Sequence, residues 1–252
     1  MALLELKGVK KAFGSVMALD GVDLEVNKGE IVGIVGPNGS GKTTLLHVIS
    51  GYYHPSGGQV IYKGENISGL RPDKIAKKGI VRTFQQNIVY WDTITLDNVF
   101  RGCYLTNKTN LLQSFFNTKA YVKEELGKLA KAQQIVSDFG LTDYSMSLAQ
   151  GLPHGKQRTL GMAMALAADP EILLIDEPLA GMDAGEVEIV LKSIRKIVDK
   201  GVTIMLIEHN IKSVMSICSR LIVLDFGHKI ADGKPVEVMK RKDVIEAYLG
   251  VE

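Results

Sequence analysis

The chain has 252 residues, of which 46% are hydrophobic, and its formal net charge at pH 7 is +2. The length suits one large domain or a core with a subdomain, and the nearly balanced charge argues against nucleic acid as a partner. There is no basic and apolar leader, and no apolar run approaches the roughly 20 residues of a membrane span, which favours a cytosolic protein. The two cysteines, Cys103 and Cys218, are expected to be reduced packing residues.

Short strands are predicted for the first 35 residues. Apolar and polar residues alternate over residues 4–9 and 22–26, as in half-buried strands. Residues 31–35 are apolar apart from one glycine and are predicted to be a buried strand. A helix is predicted over residues 44–50, and Gly51 ends it.

Between that strand and that helix lies a glycine-rich loop, Gly36-Pro37-Asn38-Gly39-Ser40-Gly41-Lys42-Thr43, followed by Thr44. It matches the P-loop pattern in the strand–turn–helix context that this motif needs. Its backbone N–H groups and the positive end of the helix are expected to bind phosphate oxygens. Lys42 is expected to reach the β- and γ-phosphates, and the Thr43 hydroxyl is expected to ligate Mg²⁺. The alternative is a glycine-rich turn that binds nothing.

Residues 86–158 differ in character and are predicted to be a helical insertion. A helix is predicted over residues 120–139, with apolar side chains at helical spacing on one face. That stripe comprises Val122, Leu126, Leu129 and Val136. After the insertion, strands predicted over 172–175 and 202–207 flank a helix with an apolar face, and this alternation predicts a parallel sheet.

Two carboxylates directly follow the strand predicted over residues 172–175. Ligands of open α/β sheets bind at the carboxyl ends of strands, which is where Asp176 and Glu177 fall. Asp176 is expected to hold Mg²⁺. Glu177 is expected to act as the base that polarises the attacking water. The alternative for both residues is a polar turn after a strand.

Two further polar residues follow predicted strands. His209 lies after the strand at 202–207 and is expected to contact the γ-phosphate or the catalytic carboxylate. Otherwise it is an exposed residue at the start of a helix capped by Asn210. Gln85 ends a short strand and is expected to reach Mg²⁺ or the attacking water, with Gln86 as its rival.

In these motifs the chain resembles the nucleotide-binding subunit of an ABC transporter, over essentially its whole length. The matches are Gly36–Thr43 to Walker A, Ile172–Asp176 to Walker B, Glu177 to the catalytic carboxylate, Gln85 to the Q-loop and His209 to the switch histidine. The resemblance adds Asp183, in the D-loop 180–183, and Phe13, at the aromatic A-loop position. An aromatic ring there would stack on adenine, unless it makes an ordinary apolar contact.

The resemblance implies the fold of a P-loop NTPase of the ABC type, as a single domain over residues 1–252. Residues 1–85 and 159–252 would form a RecA-like α/β core with an antiparallel β subdomain. Residues 86–158 would form a helical subdomain that carries the signature segment and the contact with membrane subunits.

The signature segment departs from the family pattern Leu-Ser-Gly-Gly-Gln. The chain has Leu152, then Pro153, His154, Gly155 and Lys156. Proline has neither hydroxyl nor N–H, although it suits the first turn of a helix. The segment is still expected to face a partner's phosphate. Either it is a weakened clamp, or the charge of Lys156 and the donor of His154 compensate for the missing serine.

Within the family the chain looks like the branched-chain amino acid uptake ATPases. The features shared with them are Arg82–Gln85, the insertion at 104–135, Leu179–Met182 and the ending Val244–Gly250. The resemblance implies an ATP-hydrolysing subunit that uses ATP and Mg²⁺ at the cytoplasmic face of the inner or plasma membrane. Implied partners are membrane permease subunits, a second ATPase subunit (a copy or a paralogue) and, indirectly, a periplasmic or extracellular solute-binding protein.

Three alternatives stay open at this point. One is the ATPase of a lipopolysaccharide exporter, which has a similar ending. Another is a soluble ABC ATPase of translation or DNA repair. The third, suggested by Pro153, is a nucleotide switch that binds ATP and hardly hydrolyses it.

Overall fold

In the computed structural model, which describes residues 2–83, 89–106 and 115–249, the chain alternates between strands and helices. The strands are β1 (Leu4–Phe13), β2 (Val16–Val26), β3 (Ile31–Val35), β4 (Gly57–Tyr62), β5 (Glu65–Asn66), β6 (Ile80–Thr83), β7 (Ile172–Asp176), β8 (Thr203–Ile207), β9 (Arg220–Asp225) and β10 (His228–Gly233). The helices are α1 (Lys42–Ile49), α2 (Pro72–Lys78), α3 (Thr95–Gly102), α4 (Lys119–Asp138), α5 (His154–Ala167), α6 (Ala184–Asp199), α7 (Ile211–Ile217), α8 (Pro235–Val238) and α9 (Lys242–Leu249).

The strands form two sheets. The larger sheet has six strands in the order β10-β9-β3-β8-β7-β6, and β9, β3, β8 and β7 run parallel. The smaller sheet has the order β2-β1-β4-β5 and is antiparallel. The predicted α/β fold class with an antiparallel subdomain is confirmed.

The chain folds into two compact units. The first comprises Met1–Arg82, Glu171–Ala180 and Val198–Glu252. Its core is one cluster of buried aliphatic side chains, among them Leu46 of α1 and Met205 of β8. β3, β7 and β8 are buried along their whole length, which explains why their sequences are continuous apolar runs.

The second unit comprises Thr83–Pro170 and Gly181–Ile197, and helices dominate it. α3 packs closely on α5, since a Cβ on Gly102 would lie 2.3 Å from the carbonyl oxygen of Met164. Cys103 is buried here and Cys218 is buried in the first unit, and both are reduced thiols, as expected. Among the described residues, no helix is long and apolar enough to cross a membrane.

The predicted apolar stripe of α4 is partly wrong. Val136 is buried, but Val122 and Leu126 are 44% and 61% exposed. Lys128 takes the buried position one turn before Ala132. Its ammonium lies 2.8 Å from Glu125 and 4.2 Å from the centre of the Tyr104 ring. An ion pair and a ring face make burial of this cation tolerable, so the helix presents a different face to its neighbours.

Candidate nucleotide site

The P-loop makes its turn with glycines where no other residue fits. Gly36 has φ 149°, and a Cβ there would lie 2.0 Å from the carbonyl oxygen of Leu224. Gly41, which precedes α1, has φ 101°, and a Cβ there would lie 2.4 Å from the carbonyl oxygen of Ala18. Both approaches forbid a side chain, so glycine is what lets the loop pack against the backbone of Leu224 and Ala18 while it leads into α1.

Lys42 is held inside this loop. Its Nζ donates to the carbonyl oxygens of Gly36 at 2.9 Å and Pro37 at 2.6 Å. The residue is buried, and burial lowers the pKa of its ammonium, with the charges of Glu177 and Asp176 opposing that effect. The two carbonyls keep the ammonium inside the loop, which is where the predicted contact with phosphate requires a cation.

A cleft of 190 Å³ opens over the start of α1. The loop, α1 and the strand ends line it with Ala18, Asn38, Gly39, Gly41, Lys42, Thr43, Thr44, Glu177 and His209. The structure therefore brings the predicted P-loop residues together with the predicted base and the predicted switch histidine in the first unit.

Asp176 forms a buried ion pair with Arg82, which sequence reasoning did not assign. Arg82 Nη2 lies 2.8 Å from Asp176 Oδ2, and the two side chains are 4% and 0% exposed. Asp176 Oδ1 is also buried and accepts no hydrogen bond in the part of the chain that the structure describes. Burial raises the pKa of this carboxyl, although the Arg82 charge opposes the shift. An unsatisfied carboxylate oxygen beside a P-loop fits a hard cation such as Mg²⁺.

Glu177 and His209 contact each other directly. Glu177 Oε1 lies 2.8 Å from His209 Nε2. Glu177 has φ +46°, an unfavourable conformation for a glutamate, and its N–H donates to the carbonyl of Ile207 at 2.9 Å. The alternative for His209 is also met in part, because Asn210 Oδ1 caps α7 by accepting from the N–H of Ser213. Of the two residues after β8, His209 therefore contacts Glu177 and Asn210 caps α7.

Glu208 is a second residue that the sequence analysis did not assign. Its carboxylate is buried and accepts from the N–H of Leu179 at 2.7 Å and from that of His209 at 3.1 Å. Burial raises the pKa of this carboxyl, against the backbone donors. It ties the turn after Glu177 to the turn that carries His209. The sequence signal was a charged residue placed directly after the apolar run 204–207.

Phe13 ends β1 and keeps 42% of its surface exposed. Its ring meets Tyr53 edge to face, with centroids 5.1 Å apart, and Lys11 Nζ lies 4.9 Å from its centre. The ring therefore has both an apolar neighbour and an exposed part, so stacking on adenine stays a prediction beside the ordinary apolar contact. Gln85 and its rival Gln86 lie outside the described residues.

The signature segment starts α5 in the second unit, with Pro153 at the N-cap and His154 as the first helical residue. Lys156 does not stay free at the helix start, because its Nζ donates to the carbonyl of Gly140 at 2.8 Å. The N–H of Gly155 donates to Glu186 Oε1 at 3.0 Å. Asp183 caps α6 through Oδ1, which accepts from the N–H of Glu186 at 2.9 Å.

The P-loop, its lysine and the strand-end carboxylates define a nucleotide-binding enzyme of the P-loop class. Residues 19–180 match the family model described as ABC transporter, and residues 228–252 match one described as branched-chain amino acid ATP-binding cassette transporter. The chain belongs to the ABC transporter family and is an ATP-binding and ATP-hydrolysing subunit of such a transporter. The predicted family and enzyme class are confirmed.

Relatives and solved structures that match nearly the whole chain agree with this family assignment. The high-affinity branched-chain amino acid transport ATP-binding protein BraF of Pseudomonas aeruginosa is 37% identical, over 98% of this chain and 98% of its own. The lipopolysaccharide export system ATP-binding protein LptB of Escherichia coli is 31% identical, over 99% and 98%. The ADP conformation of an ATP-binding cassette has a TM-score of 0.86 at 32% identity over all of both chains. A dimeric post-hydrolysis cassette bound to ADP and phosphate has a TM-score of 0.76 at 25% identity, over 92% of this chain and 98% of its own.

Proposed function

We propose that this chain is the motor subunit of a transporter that imports branched-chain amino acids or a related small solute. The observation that carries the substrate class is the match of residues 228–252 to a model of branched-chain amino acid transporters. The relative BraF, named for such transport, supports it over the full length. The lipopolysaccharide-export relative is the reason to keep export as the alternative.

In the proposed hydrolysis, each residue acts from the position described above. Thr43 and the free oxygen of Asp176 would hold Mg²⁺, with Gln85 as a further ligand. The metal, when bound, supplies Lewis-acid stabilisation of phosphate charge. The ammonium of Lys42 and the P-loop N–H groups neutralise charge on the β- and γ-phosphates.

The attacking water would be oriented by Glu177 acting as general base. His209, 2.8 Å from Oε1, holds that carboxylate in one orientation and would sense the γ-phosphate. Phe13 would stack on the adenine. The proposed roles thus fall on residues of the P-loop and on residues at the ends of β1, β7 and β8.

Two copies, or this chain and a paralogue, would clamp ATP head to tail at the membrane. Each P-loop would face the signature segment Pro153–Lys156 and the D-loop residue Asp183 of the other subunit. The structure described as a dimeric post-hydrolysis cassette supports the pairing of two ATPase subunits. The proposed location is the cytoplasmic face of the inner or plasma membrane, with a solute-binding protein acting on the far side.

The helical subdomain, residues 86–158, is proposed to contact the permease. Its described part exposes unusually large apolar side chains for a surface: Phe115 is 80%, Phe116 70% and Met146 73% exposed. Phe115 and Phe116 form a contiguous exposed pair, with ring centroids 5.2 Å apart, and contiguous exposed apolar surface is typical of a protein contact. ATP binding at the P-loop could then move a permease-bound subdomain as a body.

Replacing Lys42 with alanine is expected to lower kcat/KM for ATP by about 10²–10³-fold, because one charge contact to the transferring phosphate is lost. Lys7→Ala is the control, because Lys7 is an exposed lysine that pairs only with Glu5 among the contacts described. Phosphate release measures activity, and thermal melting checks the fold. Unchanged hydrolysis in Lys42→Ala with an intact fold would reject the P-loop role.

The transport proposal is tested with the chain, its neighbouring permease gene products and their solute-binding protein, reconstituted in proteoliposomes. Leucine-loaded binding protein is expected to stimulate ATP hydrolysis and drive uptake of labelled leucine. The Glu177→Gln transporter serves as the matched inactive control. ATP hydrolysis that responds to lipopolysaccharide, with no leucine uptake, would overturn import in favour of export.

A further inference from the structure

The carboxylate of Glu186 occupies the amino end of the signature helix. Its Oε1 accepts from the Gly155 N–H at 3.0 Å, in the first turn of α5. Its Oε2 accepts weakly from the Asp183 N–H at 3.4 Å, and Asp183 Oδ1 in turn accepts from the N–H of Glu186. One side chain therefore joins the D-loop to the signature segment within the second unit.

The side chain is packed into this position. A Cβ on Gly155 would lie 3.3 Å from Glu186 Cβ and 3.4 Å from its Cγ, so a larger residue at 155 would require Glu186 to shift by a few tenths of an ångström. The neighbouring N–H groups are already used, because those of Lys156 and Gln157 both donate to the carbonyl of Pro153. In this first turn of α5, the Gly155 N–H is therefore the backbone donor that binds an anionic group, the carboxylate of Glu186.

An anion at a helix N-terminus is stabilised by the free N–H groups and by the helix dipole. In the head-to-tail clamp proposed above, the γ-phosphate of a partner's ATP would use the same donors. Pro153 offers neither hydroxyl nor N–H, and Lys156 is engaged with Gly140. Two anions cannot share one N–H at full strength, so the carboxylate and the phosphate exclude each other.

We propose that Glu186 is an internal competitor for the partner's γ-phosphate, a built-in brake on closure of the ATP-bound dimer. The proposal rests on the head-to-tail clamp of the proposed function. Closure displaces Oε1 from Gly155 and also removes the carboxylate from the Asp183 N–H. Glu186 is thus a positioning residue that couples the D-loop to the signature segment, and it resists clamping until γ-phosphate is present.

The test measures ATP-driven dimerisation in the Glu177→Gln background, with Glu186→Gln and Glu186→Ala added. A hydrogen bond to a charged group is worth roughly 1.5–3 kcal/mol, so dimerisation is expected to tighten by about 10- to 100-fold in Glu186→Ala and less in Glu186→Gln. Glu188→Gln is the matched control, since Glu188 lies on the same helix and faces Lys192 and Arg195. ATP affinity of the monomer should not change.

A second arm restores the family serine. Pro153→Ser adds one hydroxyl at the same helix start and is expected to tighten the dimer more in the Glu186→Ala background than with Glu186 present. The proposal is overturned if Glu186→Ala keeps its melting temperature but dimerises equally or more weakly than the Glu177→Gln parent. If no variant dimerises in ATP, the parent included, the head-to-tail clamp of the proposed function fails and takes this proposal with it, which is a different result from a failure at Glu186 alone. A failure of leucine uptake alone would instead count against the proposed substrate, because the dimerisation assay needs no permease.

Discussion

Glu177→Gln is expected to bind ATP normally and to lose about 10²–10⁴-fold in hydrolysis rate, the usual contribution of a positioned general base. The amide keeps the shape of the carboxylate, and it can keep the contact with His209, whose Nε2 lies 2.8 Å from Glu177 Oε1 in the unsubstituted protein. It cannot accept a proton from water. Because opening follows hydrolysis, ATP should trap the variant as a dimer, which size-exclusion chromatography in ATP will detect.

The control for this variant is Glu171→Gln. Glu171 and Glu177 lie directly before and directly after β7. Glu171 forms an ion pair with Lys63 at the amino end of that strand, away from the P-loop cleft. It should hydrolyse ATP at a near-normal rate and run as the wild type does. Near-normal phosphate release by Glu177→Gln would remove the assignment of Glu177 as the base.

The features that could be predicted from the sequence are those determined by residues close together in the chain. The P-loop carries its glycines and lysine in eight consecutive residues, and β3, β7 and β8 are buried runs whose ends place the carboxylates and His209. β1 and β2 extend further than predicted, to Phe13 and from Val16. Antiparallel pairing there includes polar and exposed residues that the alternation rule does not count.

Other features depend on partners distant in sequence. Arg82 meets Asp176 across 94 positions and Gly155 meets Glu186 across 31, and no local pattern announces either contact. The stripe of α4 failed for the same reason. Burial of Lys128 depends on the ring of Tyr104, which lies outside α4, in addition to its near neighbour Glu125.

Arg82→Met is expected to destabilise the fold by about 3–5 kcal/mol, because it leaves the Asp176 charge buried without its partner. The pair is nearly inaccessible to solvent, with N–O distance 2.8 Å, so water cannot replace the guanidinium. For a chain of this size the melting temperature should fall by roughly 6–20 °C. Thermal melting without nucleotide measures the effect on stability separately from binding.

Two further variants decide whether the loss of stability in Arg82→Met comes from breaking the Arg82–Asp176 ion pair. Arg71→Met is the matched control, since Arg71 and Asp73 form an exposed ion pair with side chains 79% and 46% accessible. Exposed pairs contribute about 0–1 kcal/mol, so its melting temperature should hardly move. Adding Asp176→Leu to Arg82→Met removes the stranded charge and should recover much of the lost stability, although it abolishes hydrolysis. If the double variant melts no higher than Arg82→Met alone, the destabilisation comes from lost packing of the side chains, and the stranded Asp176 charge is not its cause.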